Sequence, residues 1–154
     1  MLKQFSNGNA IVRFIACDKP IVPADDDTPL TWAMVMVEKD GKFLLHHNYN
    51  RMQWEFGGGG IEAGETVEQA AIREVLEETS QHVIDLQCQG LFKLYLRDTD
   101  RYEYGALYTG TIEALRPFQH NNESDRITLW QPDEPLDDPV SGLVEWTIDY
   151  LRKY

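Results

Sequence analysis

Glu74, Glu77 and Glu78 stand three and four positions apart, the spacing that gathers side chains on one face of a helix. Like charges held that close repel one another and raise one another's pKa values. A chain tolerates them as a solvated acidic face, or as ligands of a hard divalent cation that supplies the missing positive charge. The company upstream favours the second reading, because Gly59, Glu65 and Arg73 precede the glutamates at fixed spacing. A second acidic run, Asp25-Asp26-Asp27, reads as a solvated loop, since three successive loop residues rarely converge on one ion.

These side chains need a helix and a rigid support. The helix is predicted to start near Thr66 or Val67, with Thr66 as N-cap. Ile72, Val75, Leu76 and Thr79 form the face that packs on a sheet, while Ala70 and Ala71 leave room beside the carboxylates. Gly57-Gly58-Gly59-Gly60 removes every Cβ from what reads as a turn before the helix, so backbone there can approach a ligand closely. Strands are predicted over 10–16, 31–38, 42–47, 53–56, 83–96, 103–112 and 125–130. Asp40-Gly41 marks a hairpin between the second and third. An amphipathic helix is predicted over 139–152, packing through Leu143, Trp146, Ile148, Tyr150 and Leu151. Strands interleaved with two helices give the class α/β, an α/β/α sandwich around a mixed β-sheet.

At 154 residues the chain reads as a single domain, residues 1–154, with a sizeable core. A net charge of −12 argues against nucleic acid polymers and anionic membranes as partners. It would also repel an anionic substrate unless cations screen the site. Cys17 and Cys88 form no disulfide framework and lack zinc-like spacing, so they read as buried thiols. With no leader-like start and no membrane-length apolar run, a cytoplasmic location is expected.

The stretch from Gly59 to Gln81 resembles the Nudix box, G-x5-E-x7-R-E-U-x-E-E-x-G-U, where U is bulky and apolar. Gly59, Glu65, Arg73, Glu74, Val75, Glu77 and Glu78 match; Ser80 replaces the glycine and Gln81 the final apolar residue. Serine in the left-handed conformation that glycine favours there costs about 1 kcal/mol, and Val83 stands ready to take over the apolar contact. Trp54-Glu55-Phe56-Gly57-Gly58-Gly59 is similar to the lead-in W-x-F-x-G-G, with Gly57 where proline is frequent. The resemblance implies the same sandwich fold and a Mg²⁺-dependent pyrophosphohydrolase, with Mn²⁺ as an alternative ion. It implies Glu74, Glu77, Glu78 and the Gly58 carbonyl as metal ligands, with Glu74 also a candidate general base. Arg73 joins the catalytic group by orienting the box through its own glutamates, Glu65 among them; Gly59 and Glu65 are structural. Asn122-Glu123-Ser124-Asp125 before Trp130 resembles the acidic stretch after the box in many members, making Glu123 the candidate outer carboxylate and Glu103 its rival.

Phe43-Leu44-Leu45-His46-His47, then Arg51 and Trp54-Glu55-Phe56, look like the approach to the box in nucleoside triphosphate diphosphatases of the oxidised-guanine type. This implies Arg51 and Glu55 as substrate-binding residues. Some of those proteins carry arginines at the positions of His46 and His47, which implies either weaker phosphate binding here or its transfer to Arg51 or Arg13. Phe5, Trp32 and Tyr49 are aromatics able to stack on a base, though such residues are more often core or surface, and none is taken as a site residue. The implied reaction turns a small nucleoside triphosphate, such as an oxidised dGTP, into monophosphate and pyrophosphate. The alternatives are a hydrolase of another conjugate (ADP-ribose, a nucleotide sugar, a dinucleoside polyphosphate) and a non-catalytic nucleotide sensor. A homodimer is left open.

Overall fold

The computed structural model describes residues 1–153. The chain runs through β1 (Lys3–Gln4), β2 (Ala10–Ala16), β3 (Leu30–Lys39), β4 (Lys42–Asn48), β5 (Gln53–Glu55) and β6 (Gly57–Gly60). It continues through α1 (Val67–Thr79), β7 (Ile84–Leu96), β8 (Arg101–Thr111), β9 (Ser124–Trp130) and α2 (Gly142–Lys153). β3 organises the sheet. Its near-continuous apolar run serves both faces, because side chains alternate with a period of two. Ala33, Val35 and Val37 enter one core, while Met34, with Trp32 and Met36 beside it, enters the other.

Along one edge β3 pairs in parallel with β8, from Leu30↔Tyr104 to Val37↔Gly110. Along the other it pairs antiparallel with β6, from Trp32↔Gly60 to Val35↔Gly57, and then with β4 at Glu38↔Phe43. The sheet order is β1-β2-β7-β8-β3-β4-β5, with β6 on β3 and β9 on β4. The β3–β4 turn has positive φ at both Asp40 (52°) and Gly41 (79°), as a two-residue hairpin of the right twist requires. α1 covers one face, with Ala71 and Val75 in the core that holds Leu44, Leu91 and Tyr104. α2 covers the other, with Val144 and Ile148 against Phe43, Leu45 and Phe92. The result is the α/β/α sandwich around a mixed sheet.

The structure corrects several local expectations. The glycine run is a strand, β6, rather than a turn: pairing with β3 needs only backbone. A Cβ at Gly58 would lie 2.6 Å from the Ala33 carbonyl oxygen and one at Gly57 3.2 Å from Val75 Cα. α1 thus rests against nearly bare backbone, and at that separation its small residues face inward. Val75 and Thr79 are buried as expected, but Ala70 and Ala71 are fully buried too, while Leu76 is 38% exposed. α2 starts at Gly142 because residues 139–141 pair with β5 instead, where Trp54 donates to the Pro139 carbonyl and Ser141 to that of Trp54. Asp25 and Asp27 are exposed, but Asp26 accepts from Lys93 (2.9 Å), Tyr104 (2.7 Å) and the Thr28 N–H (3.0 Å). Cys17 and Cys88 are half-buried and hydrogen-bonded to one another, and burial, aided by Cys17, pushes the Cys88 thiol up to about 11. Among the described residues no helix is long and apolar enough to cross a membrane.

α1 opens with a reciprocal cap, in which Thr66 Oγ1 accepts from Gln69 N (3.1 Å) and Gln69 Oε1 from Thr66 N (2.9 Å). Thr66→Ala should therefore lower stability by about 1 kcal/mol in urea denaturation. An unchanged midpoint would show that tertiary contacts alone fix the helix start.

Candidate functional site

Arg73 ties the segment before α1 to the helix itself. Its Nε and Nη2 grip Glu65 at 2.7 and 3.0 Å, and Nη2 also donates to the Gly60 carbonyl at 2.8 Å. Nη1 reaches Glu74 (2.9 Å) and Glu77 (3.3 Å). A two-pronged guanidinium–carboxylate pair is geometrically specific, and it draws the Glu65 carboxyl down to about 2. Arg73 thus aims two box glutamates and bolts the strand β6 to the helix that follows it.

Each remaining carboxylate has its own seat. The Glu74 carboxylate lies where a Cβ at Gly59 would collide with it, so glycine is required there for close approach. Burial raises the Glu74 pKa, Arg73 opposes that, and the neighbouring Glu77 and Glu123 add to it. Glu78 is 4% exposed and accepts from the Gly58 N–H at 2.8 Å. A strand residue's N–H and C=O leave on the same edge, so the Gly58 carbonyl faces the carboxylates as well. Burial pushes Glu78 up to about 7, against the pull of His46. His46 Nε2 sits 3.1 Å from Glu78 Oε2, an ion pair when His46 is protonated. The other ring nitrogen of this fully buried histidine is 2.7 Å from Ser124 Oγ.

The structure brings Glu123 to the same place from the β8–β9 connection. It lines a cavity of about 260 Å³ with Glu77, Glu78, Asn121 and Asn122, and its charge acts on Glu74 and Glu78. Glu103 is elsewhere, accepting from Thr31 Oγ1 at 2.9 Å and Arg101 at 3.2 Å. Glu68 is an exposed residue of the first helical turn, near Tyr108 and Cys88. Carboxylate oxygens from Glu74, Glu77, Glu78 and Glu123 with the Gly58 carbonyl make an all-oxygen donor set, which suits a hard divalent ion. Burial is the largest cause of the raised Glu74 and Glu78 pKa values, and the charge of Glu123 adds to both. Among the described residues no three of these side chains lie close enough together to hold an ion as they stand.

Beside this cluster a cleft of about 400 Å³ runs along β6, with Trp32, Met34 and Leu143 as apolar wall and Asn7, Asn9 and Gln53 as polar wall. Arg51 and Glu55 stand at its edge, but as an ion pair, with Arg51 Nη1 3.1 and 3.0 Å from the two Glu55 oxygens. Arg13 is out of reach, an exposed residue of β2 beside Tyr104. Tyr49 stacks on His120, Phe5 packs at the start of α2, and His46 and His47 are buried. Spacing could not reveal Asn7 and Asn9, whose only signal is two amides in a glycine-bearing N-terminal turn.

The family model described as the NUDIX domain matches residues 27–146. The chain is 36% identical over 73 residues to an RNA pyrophosphohydrolase of Sodalis glossinidius, covering 47% of this chain and 42% of that protein. It is 30% identical over 102 residues to a MutT-like protein of Streptomyces ambofaciens, covering 66% and 63% respectively. It thus spans less than two thirds of either curated relative. In three dimensions it is similar to a Bacillus subtilis pyrophosphohydrolase, with a TM-score of 0.73 over 98% of this chain and 95% of that one. At 22% identity that likeness shows the fold.

The Glu78 carboxyl ordinarily titrates at 4.5 and here at about 7, so the folded chain binds this proton more tightly than the unfolded chain. Its stabilisation is complete below the unfolded value and is lost as pH rises through about 7. His46, lowered by burial but raised more by Glu78 and Glu55, acts in the same direction. In chelator, the melting temperature should fall between about pH 5 and about pH 8, and Glu78→Gln should flatten that slope. Equal slopes in the two proteins would rule out this pair as the source.

Proposed function

The chain belongs to the Nudix family, and we propose that it hydrolyses a small nucleoside triphosphate, of the oxidised dGTP type, to monophosphate and pyrophosphate. One observation carries the reading: Glu123 arrives from a separate connection to face Glu77 and Glu78, beside a cleft of nucleoside size. A cleft of about 400 Å³ is at the small end for ligand sites, which suits one nucleoside rather than two. Asn7 Oδ1 is taken by Asn9 N and Asn9 Oδ1 by Arg97 N, so both amides offer NH₂ donors. An oxidised guanine presents carbonyl oxygens to such donors, and Trp32 offers a face for stacking.

When bound, Mg²⁺ or Mn²⁺ supplies Lewis acidity toward the phosphate oxygens and the attacking water. Glu74, Glu77, Glu78, Glu123 and the Gly58 carbonyl are the groups that would hold it. Glu74, its pKa raised by burial, is the candidate to take the proton from water, and Arg73 keeps it aimed. Arg51 can meet a phosphate by releasing Glu55. Cytoplasm, where nucleoside triphosphates and reduced thiols coexist, is the location this reading requires. A second reading, removal of pyrophosphate from an RNA 5′ end, is favoured by the name of the Sodalis relative. The net charge of −12 weighs against a polymer.

A panel of nucleoside triphosphates, nucleotide conjugates and 5′-triphosphate RNA, incubated with Mg²⁺ and read by mass, tests the proposal. Monophosphate and pyrophosphate from a free triphosphate, abolished by chelator, is the expected outcome. Turnover of RNA alone, or of conjugates alone, would refute the substrate class; activity in metal-free buffer would refute the mechanism. Within the box, Glu77→Gln should lower kcat by about 10²-fold or more, whereas Glu68→Gln should be nearly silent. Equal losses would mean that the wrong helix face has been chosen.

A further inference from the structure

The end of α1 has four backbone carbonyls with no partner inside the helix, as every helix end does. Here all four are met. Leu76 O accepts from Ser80 N at 2.9 Å, with Ser80 in the left-handed conformation (φ 64°). Thr79 O accepts from Gln81 Nε2 at 3.0 Å. Glu77 O and Glu78 O accept from Asn121 Nδ2 at 3.0 and 3.4 Å. The last turn contains no basic residue, so neutral amides do what lysine or arginine does at other helix ends.

The far sides of the same groups hold the β8–β9 connection. Fully buried Gln81 donates to Arg116 O (2.8 Å) and accepts from Arg116 N (2.7 Å). Ser80 Oγ accepts from Gln119 N (3.0 Å). Asn121 Oδ1 accepts from the N–H groups of Glu123 (2.9 Å) and Ser124 (2.8 Å). The orientation of the Asn121 amide is fixed by these partners, because a flip would face oxygen with carbonyls and NH₂ with N–H groups. Tyr49 closes the opposite side, its N–H on Glu123 O (3.2 Å) and its hydroxyl on Asn121 O (3.3 Å). One side-chain amide thus joins the backbone of two box glutamates to the backbone of Glu123.

We propose that Asn121 is a positioning residue that sets the separation between Glu77, Glu78 and Glu123, with Ser80 and Gln81 pinning the rest of the connection to the helix end. The proposal rests on the reading of Glu123 as part of the active site. It gives the two departures from the box a purpose. A glycine and an apolar residue would end the helix with less backbone strain, but neither side chain could hold Arg116 and Gln119.

A double-mutant cycle tests it. Asn121→Ala should lower kcat about 10-fold or more, the scale of a displaced catalytic group, with KM for the nucleotide nearly unchanged. In a Glu123→Gln background the same change should cost less than about 2-fold, because the two act as a unit. Exchange of the Glu123 and Ser124 amide protons should accelerate in Asn121→Ala. Mn²⁺ affinity, measured by calorimetry, should weaken in Asn121→Ala and in Glu123→Gln without weakening further in the double variant. If Asn121→Ala does not fold, Asn121→Asp keeps the two acceptances and loses both donations, and enters the same cycle. Additive losses, an unaffected Asn121→Ala, or a silent Glu123→Gln would each overturn the proposal. Absence of hydrolysis by the wild type would sink the proposed activity, while the Mn²⁺ and exchange cycles would still judge Asn121.

Discussion

The guanidinium of Arg73 is the contact on which the rest of the site depends. Glutamates 74, 77 and 78 cannot share a helix face at low energy without positive charge nearby, and Arg73 is placed to reach two of them while gripping Glu65 and the Gly60 carbonyl. Its planar fork fixes angles as well as charge. Because its partners come from β6, the following loop and α1, the pairing also sets how the helix is presented to the sheet. A lysine could neutralise charge there but could not make the same set of directed contacts.

Arg73 does not reach Glu78, and the fold treats that residue differently. Glu78 is buried, held by a backbone N–H and faced by the buried His46. Burial raises the pKa of Glu78 and the facing His46 opposes that, so this side of the site is held by a buried pair rather than by Arg73. The glycines of β6 make it compatible with a packed core. They let α1 approach β3 until alanines fill the interface, and they leave Gly59 open to the Glu74 carboxylate. The same strand forms one wall of the cleft, so cleft and carboxylate cluster share a boundary.

Local periodicity carried much of this in the sequence. The Asp40-Gly41 hairpin, the Thr66 cap, the apolar strands and the face shared by Glu74, Glu77 and Glu78 all follow from spacings of two, three or four residues. The resemblance to the box also implied the Arg73–Glu65 pair, which the structure shows at 2.7 Å. What could not be read was how close elements approach. The glycine strand looked like a turn, and the alanine face looked like the open side, because neither identity nor period reports the distance between layers.

Long-range contacts were likewise decided only in three dimensions. Ser80 and Gln81 read in sequence as defects at the end of a motif; they are hydrogen-bonded anchors to residues 35 and 39 positions downstream. The preference for Glu123 over Glu103 depended on which carboxylate the β8–β9 connection carries to α1, and the N-terminal asparagines entered the cleft only through sheet pairing. The sequence by itself determined which groups share a helix face and what chemistry they suit, since helix geometry fixes neighbours three and four apart. The tertiary structure alone decided which distant groups complete them, since that follows from the packing of layers and the closure of loops.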